Sequence, residues 1–354
     1  MTKENRNPKQ KPQAEKSSSN LELRHSSVIR HSPAGPKVLS KGRSFVIYFR
    51  EWSVAFALFA LLLVLAVLAP GFFQKSQLLS ICSTAVPVLL VACGISLVII
   101  SRQIDISAGS QFAVCSVLLG PLVQAHWPTL LAGLMAILAG ACCGAFNGAL
   151  IAGLRLPSIV VTLATMATWR EGLRWWRQGE FVRDLPESFQ WFGLGQAGGQ
   201  AAVLVTTVVL FVLVVFGMKH LSAGRFVYAV GSDAEAARLA GIRPARVTFW
   251  VFVVAGALTG VAALLNAVRF ADVDPKTGTG IELQAIASAV VGGVAISGGR
   301  GKLWGVLAGV LLLVCIAPAL VFLKLPPQWE KALQGCIILL AVAADGWRSA
   351  REKG

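Results

Sequence analysis

The sequence predicts an all-α, polytopic membrane protein with about ten transmembrane helices, some of them short or broken. Three observations carry this. The 354 residues are 55% hydrophobic and only 14% charged, and mean hydropathy is +0.69. Apolar runs near the ~20 residues needed to cross a hydrocarbon core recur far more often than one soluble core would produce. The cations are segregated: about eleven of the 32 Lys and Arg precede Trp52, and others gather in a few loops. That segregation turns the net charge of +15 away from a nucleic-acid reading. Retention of Lys and Arg on the cytoplasmic side of a bilayer explains it, so the expected environment is lipid and no nucleic-acid partner is expected.

Residues 1–44 are polar, basic and poor in apolar side chains, and are expected to form a disordered cytoplasmic tail. No apolar core follows their first charges, so they do not read as a cleavable signal. Crossings are expected at about 52–69, 78–101, 106–125, 129–153, 157–171, 201–218, 248–268, 283–297, 303–323 and 329–345 within a membrane-spanning block at 45–347. The fifth and eighth are short and interrupted by Gly or Thr. Ten crossings put both termini on one side. Placing that side in the cytoplasm leaves 23 Lys and Arg inside and 9 outside, as the positive-inside rule favours. The segment 219–247 and the C-terminal tail 348–354 are then cytoplasmic.

Within that segment "GSDAEAARLAGI" (Gly231 to Ile242) reads as a finished short helix from about Ala234 to Ala240. Ser232 and Asp233 offer N-terminal caps, Glu235 suits the positive end, and Gly241 is a natural stop. Small residues recur at Gly140, Gly144 and Gly148, and at Gly301, Gly305 and Gly309. Such spacing lets helices approach closely, inside one chain or between subunits. "QIDISAGS" (Gln103–Ser110) and "GIELQAIAS" (Gly280–Ser288) share an apolar–acidic–apolar–polar word, an inverted-repeat signal expected on opposite sides of the membrane.

No chemistry-bearing set accompanies these features. The chain has no Ser/His/Asp set, no HExxH and no paired carboxylates in a polar pocket, so it is not read as an enzyme. All seven cysteines lie in apolar segments without CxxC spacing, and only four His occur, so no metal site is expected. "SGGRGKLWG" (Ser297–Gly305) is not a phosphate loop: Ile296 stands at the first glycine and Leu303 at the Mg²⁺-binding hydroxyl. It reads as a tight turn with Arg300 and Lys302 at the membrane surface, and no cofactor is expected in this chain.

Two polar interruptions remain. Asp105, with Ser107, Gly109 and Ser110, opens the third crossing; the carboxylate either caps the helix near Arg102 or lines a transport route. Glu282, Gln284 and Ser288 follow the break at Gly278–Gly280; they line a route for a polyhydroxylated solute or bond to neighbouring helices.

Together, "RQIDISAGS", "EAARLAGI", "TGTGIELQAIASAVVGGVAISGGRG" and "ILLAVAADG" resemble the permease subunits of bacterial ribose-type ABC importers, over about residues 52–347. "PSIVVTLATMATWREGLRWW" and "LPPQWEKALQG" look most like the autoinducer-2 and rhamnose branch. The resemblance implies an inner-membrane pore for a sugar-like solute. It also implies ABC ATPase subunits, a second permease copy or paralogue, and a periplasmic solute-binding protein. It makes Asp233, Glu235, Ala236, Ala237, Arg238, Leu239 and Gly241 the segment that couples to the ATPase, with Ala side chains giving close contact. The family's usual word is closer to "GGIDLSVGS"; here Arg102 and Gln103 replace the glycines. A branched-chain amino-acid permease and an ion-coupled secondary transporter are the alternatives.

Overall fold

A computed structural model describes residues 41–326 and 328–351. The expected tail falls mainly on residues 1–40, outside the described residues. Among the described residues there are twelve α-helices, in order α1 (Lys41–Leu68), α2 (Lys75–Ile100), α3 (Ala108–Gln124), α4 (Thr129–Leu154), α5 (Ser158–Arg177), α6 (Gly195–His220), α7 (Ser222–Ser232), α8 (Ala234–Leu239), α9 (Pro244–Ala267), α10 (Ile281–Val291), α11 (Leu303–Phe322) and α12 (Trp329–Arg351). Each predicted crossing corresponds to a helix, and the fold is that of an all-α multi-pass membrane protein. Among the described residues, α2, α4, α6, α9 and α11 combine the length and the hydropathy of a full span.

Several boundaries differ from expectation. Helix α1 begins at Lys41, inside the span read as tail, and α12 continues to Arg351, into the span read as a C-terminal tail. No Gly or Pro interrupts 43–68, and helix propagation does not stop where hydropathy does. For the same reason α5 runs past residue 171 to Arg177 through "TWREGLRWWR". Helix α10 is shorter than expected, because Gly292 follows it and Gly293 takes φ 99°, a left-handed turn open to glycine.

Helix α2 is the hub, with 94% of its apolar window buried, whereas the windows of α4 and α6 are 28% and 17% buried and face outward. The glycine stripes are seams inside the chain. A methyl on Gly144 would sit 2.9 Å from the Phe252 carbonyl carbon, and one on Gly148 3.0 Å from the Phe249 carbonyl oxygen. Gly140 faces Gly256 and Gly260. The rising α4 numbers meet falling α9 numbers, so the two helices are antiparallel with backbones in contact. Gly305 and Gly309 likewise lie against Gly292 and Ser288 and join α10 to α11. At one end of the bundle the 178–194 linker crosses the chain after α9: Val182 and Val273 exchange N–H···O bonds of 3.0 and 2.9 Å, and the Trp191 N–H donates to the Val268 carbonyl at 2.6 Å. Helices α7 and α8 lie at the other end.

Candidate functional site

The predicted short helix is α8, and the stretch that begins at Gly231 also takes in the end of α7. Ser232 ends α7, and Asp233, extended at φ −155°, separates it from α8. Asp233 is the cap: its Oδ1 accepts the N–H groups of Glu235 at 2.9 Å and Ala236 at 3.0 Å. Ser232 makes no such bond, because it is committed to α7. At the other end Gly241 takes φ 82°. Its N–H donates to the Arg238 carbonyl, and the Ile242 N–H to the Ala237 carbonyl, both at 3.0 Å. These are the two bonds of a Schellman stop.

The outward face of α8 differs from expectation. Ala237 is 5% exposed and turned into the chain, so it does not lie on a docking face. Glu235, Ala236 and Arg238 are exposed, and Leu239 is 79% exposed. Arg238 donates to Glu235 from Nη2 at 2.6 Å and from Nε at 3.0 Å. The guanidinium beside it holds the Glu235 carboxyl below the usual carboxylate range. A pair this exposed contributes little stability; it presents a fixed dipolar surface beside one bare leucine.

Behind α8 the backbone is locked to the bundle. The Gly299 N–H donates to the Ile100 carbonyl at 2.8 Å. Gly231, in the last turn of α7, packs on this bond: a methyl there would overlap the Ile100 carbonyl and sit 2.8 Å from Gly299 N. Gly298 and Gly299 take φ 81° and 71°, and the Tyr228 hydroxyl donates to the Gly301 carbonyl at 2.8 Å. The "SGGRG" turn is therefore not simply a surface turn. It joins the ends of α2, α7 and α10 at one point. Sequence reasoning missed the role of Gly231 and Gly299, because close approach of distant backbones leaves no local signal beyond the glycines themselves.

From that junction the chain enters the first break. Arg102 takes φ 65°, the left-handed region. This is the position where the resembled family carries glycine, and the backbone geometry supplies the reason. Asp105 is 2% exposed. Its Oδ1 accepts from the Ser107 N–H at 2.8 Å and the Ser107 hydroxyl at 2.5 Å, and its Oδ2 from Gln111 Nε2 at 3.3 Å. Asn147 Nδ2 of α4 donates to Ser107 Oγ at 2.8 Å, and the Ser110 hydroxyl to the Ser107 carbonyl at 2.7 Å. The bonds run to Ser107 and Gln111 rather than to Arg102, so the carboxylate organises the start of α3 inside the chain. Gln111 and Asn147 were missed, although each interrupts an apolar run and was visible as such.

The second break meets the first. Gly109 lies against Glu282 and Gly278, and Gly278 takes φ 76° against Phe112. The two repeat words were expected on opposite sides of the membrane; they meet at one depth. The reason is length: at 1.5 Å per residue α3 is about 25 Å and α10 about 16 Å, so each starts within the bundle and exits toward a different end. Two helix N-termini, each a positive dipole end, thus converge, and each has a carboxylate beside it. Glu282 Oε1 accepts the Gly280 N–H at 3.2 Å, while Oε2 is buried without a partner. Ser288 donates to the Gln284 carbonyl at 2.7 Å and is fully buried. Gln284 is partly exposed.

Beside this break, α5 presents a polar face: Thr168 and Glu171 are exposed, with Glu171 paired to Arg174 at 3.0 Å. Arg170 Nη1 donates to Thr279 Oγ1, and its Nη2 is buried without a partner. Arg170 was not singled out from the sequence, though a cation in an apolar crossing was the available signal. Among the described residues no cluster of His, Cys, Asp and Glu could hold a metal ion.

Comparisons with known proteins identify the family. A family model described as "Branched-chain amino acid transport system / permease component" matches residues 77–342. The autoinducer 2 import system permease protein LsrC of Enterobacter sp. (strain 638) is 33% identical over 297 residues, 84% of this chain and 87% of that protein. LsrC of Klebsiella pneumoniae is 34% identical over 299 residues, 84% of this chain and 86% of that one. LsrC of Salmonella typhi is 31% identical over 84% of this chain and 86% of its own length. No solved structure matches. With a multi-pass helical bundle, two helices broken within it and this coverage, the chain belongs to the family of transport-system permease components.

Proposed function

We propose that the chain is the pore-forming subunit of an ATP-binding-cassette importer. It moves a small sugar-like solute of the autoinducer-2 type through a bacterial inner membrane, with both termini in the cytoplasm. ATP hydrolysis belongs to separate ATPase subunits; a second permease copy or paralogue completes the pore, and a periplasmic binding protein delivers the solute. One observation carries this reading: α8 is a six-residue helix, capped at both ends, that exposes Glu235, Arg238 and Leu239 to solvent. So short a helix is marginal in water, and an ATPase groove stabilises it. The solute class rests on the named relatives. Helix α5 and the α10 break supply the polar route, through Thr168, Glu171, Arg170, Thr279 and Gln284. Asp105, Ser107, Gly109, Ser110, Glu282 and Ser288 hold the two breaks in register beside it.

The test is uptake of labelled autoinducer-2 by cells carrying this chain with its cognate ATPase, second permease and binding protein. The expected result is ATP-dependent uptake that unlabelled autoinducer-2 suppresses and leucine does not. Suppression by leucine would assign the amino-acid class that the family description names. Uptake driven by a proton or sodium gradient with the ATPase deleted would refute the importer.

A further inference from the structure

We propose that the groove between the end of α6 and the start of α11 binds an anionic phospholipid. The groove encloses about 490 Å³. Lys219 of α6, Arg225 of α7 and Lys302 before α11 line it together with Val215, Met218 and Trp304, and among the described residues no acidic side chain lines it. The lining is thus cationic on one side and apolar on the other, the two halves of a phospholipid. Arg225 is held by neutral acceptors: Nη2 donates to Ser222 Oγ at 3.0 Å and Nη1 to the His220 carbonyl at 3.3 Å, so its bonds orient the charge without cancelling it. Trp304 is 59% exposed and stands edge-on to Phe211, with ring centroids 5.2 Å apart. An exposed indole in the first turn of a span suits the depth where headgroup meets acyl chain. The positive end of α11 opens at the same place.

Helix α7 supports the same reading. It follows α6 after Leu221 alone, buries Gly224, Val227 and Val230 against the bundle, and exposes Arg225 and Phe226. A helix of that pattern lies in the membrane surface plane. A soluble phosphate would use the cations and leave the Val215–Met218–Trp304 wall bare. A phospholipid uses both, and basic pockets between spanning helices are suited to such headgroups. Its consequence would be mechanical. Tyr228 both lines the groove and bonds to Gly301, so a lipid seated there braces α7 where Gly231 meets Ile100.

The experiment uses the full-length chain in the assembled transporter, placed in nanodiscs of phosphatidylcholine with or without phosphatidylglycerol. Retained lipid is measured by native mass spectrometry, and the thermal midpoint is followed as phosphatidylglycerol is titrated. The wild type should retain phosphatidylglycerol and melt higher with it. Lys219→Gln with Arg225→Gln should weaken that binding about thirty-fold, from the contribution of each cation near a charged headgroup. Arg225→Lys keeps the charge and should keep the preference, which separates lost binding from misfolding. Equal retention of phosphatidylglycerol by wild type and the double variant would overturn the proposal. So would equal retention of phosphatidylcholine, or an equal rise in midpoint with inorganic phosphate alone. Loss of ATPase association with unchanged lipid retention would also overturn it, and assign the groove to the protein partner.

Discussion

Replacing Gly231 with Ala tests whether the junction of α2, α7 and the 298–301 turn transmits motion. Gly231 lies in the last turn of α7 with no left-handed backbone, so alanine by itself favours the helix by about 1 kcal/mol. The added methyl, however, would overlap the Ile100 carbonyl oxygen and lie 2.8 Å from both its carbon and Gly299 N. Restoring ordinary contact requires a shift on the order of 1 Å between α7 and the end of α2. The atoms in the way are backbone, so no side chain can swing aside. Overpacking of this kind costs about 1–3 kcal/mol, and losing the Gly299–Ile100 bond adds about 1 kcal/mol. The net expectation is a loss of about 2 kcal/mol, together with a displaced α8. The assay compares thermal midpoint, ATPase association and solute-stimulated ATP hydrolysis in the reconstituted complex. Uptake should fall further than ATPase association does. Gly153→Ala is the control, since nothing lies within 4 Å of a methyl there and its backbone is helical. A wild-type midpoint and full uptake for Gly231→Ala would refute both the close packing and the transmission role.

Leu239→Glu should weaken ATPase association at an unchanged thermal midpoint, whereas Ala237→Glu should lower the midpoint because it buries a charge; co-purification and melting of both variants check this pairing. Gly144→Val should push α4 off the Phe252 backbone and cost about 3 kcal/mol or more, seen as reduced membrane abundance and early melting. Arg102→Gly should leave the break at Asp105 intact and stabilise the protein by up to about 1 kcal/mol, because φ 65° strains a side-chain-bearing residue; a lowered midpoint would show that the Arg102 side chain makes a compensating contact. Arg170→Gln keeps a donor toward Thr279 and removes the charge; uptake should fall or solute competition change while assembly is retained, and unchanged uptake of every solute tried would remove Arg170 from the route.

Hydropathy alone located the long apolar helices, because an apolar run of bilayer length has few alternatives in water. The cap logic of α8 was equally local: Asp233 and Gly241 act on groups within a few residues, so Ser-Asp before and Gly after an Ala-rich stretch sufficed to find the helix. The glycine stripes were visible as periodic small residues, but whether they faced a partner or the same chain depended on what stood opposite. Gly256 and Phe252 answer that for Gly140 and Gly144. The face of α8 was equally undetermined, since six residues make fewer than two turns and their burial is set by the neighbouring elements. Ala237 therefore points inward and Leu239 outward. The meeting of Gly109 with Glu282, and of Gly231 with Ile100, joins residues more than a hundred positions apart. Composition and spacing encode the energy of single helices; the depth at which two broken helices stop is fixed only when their backbones come within contact of each other.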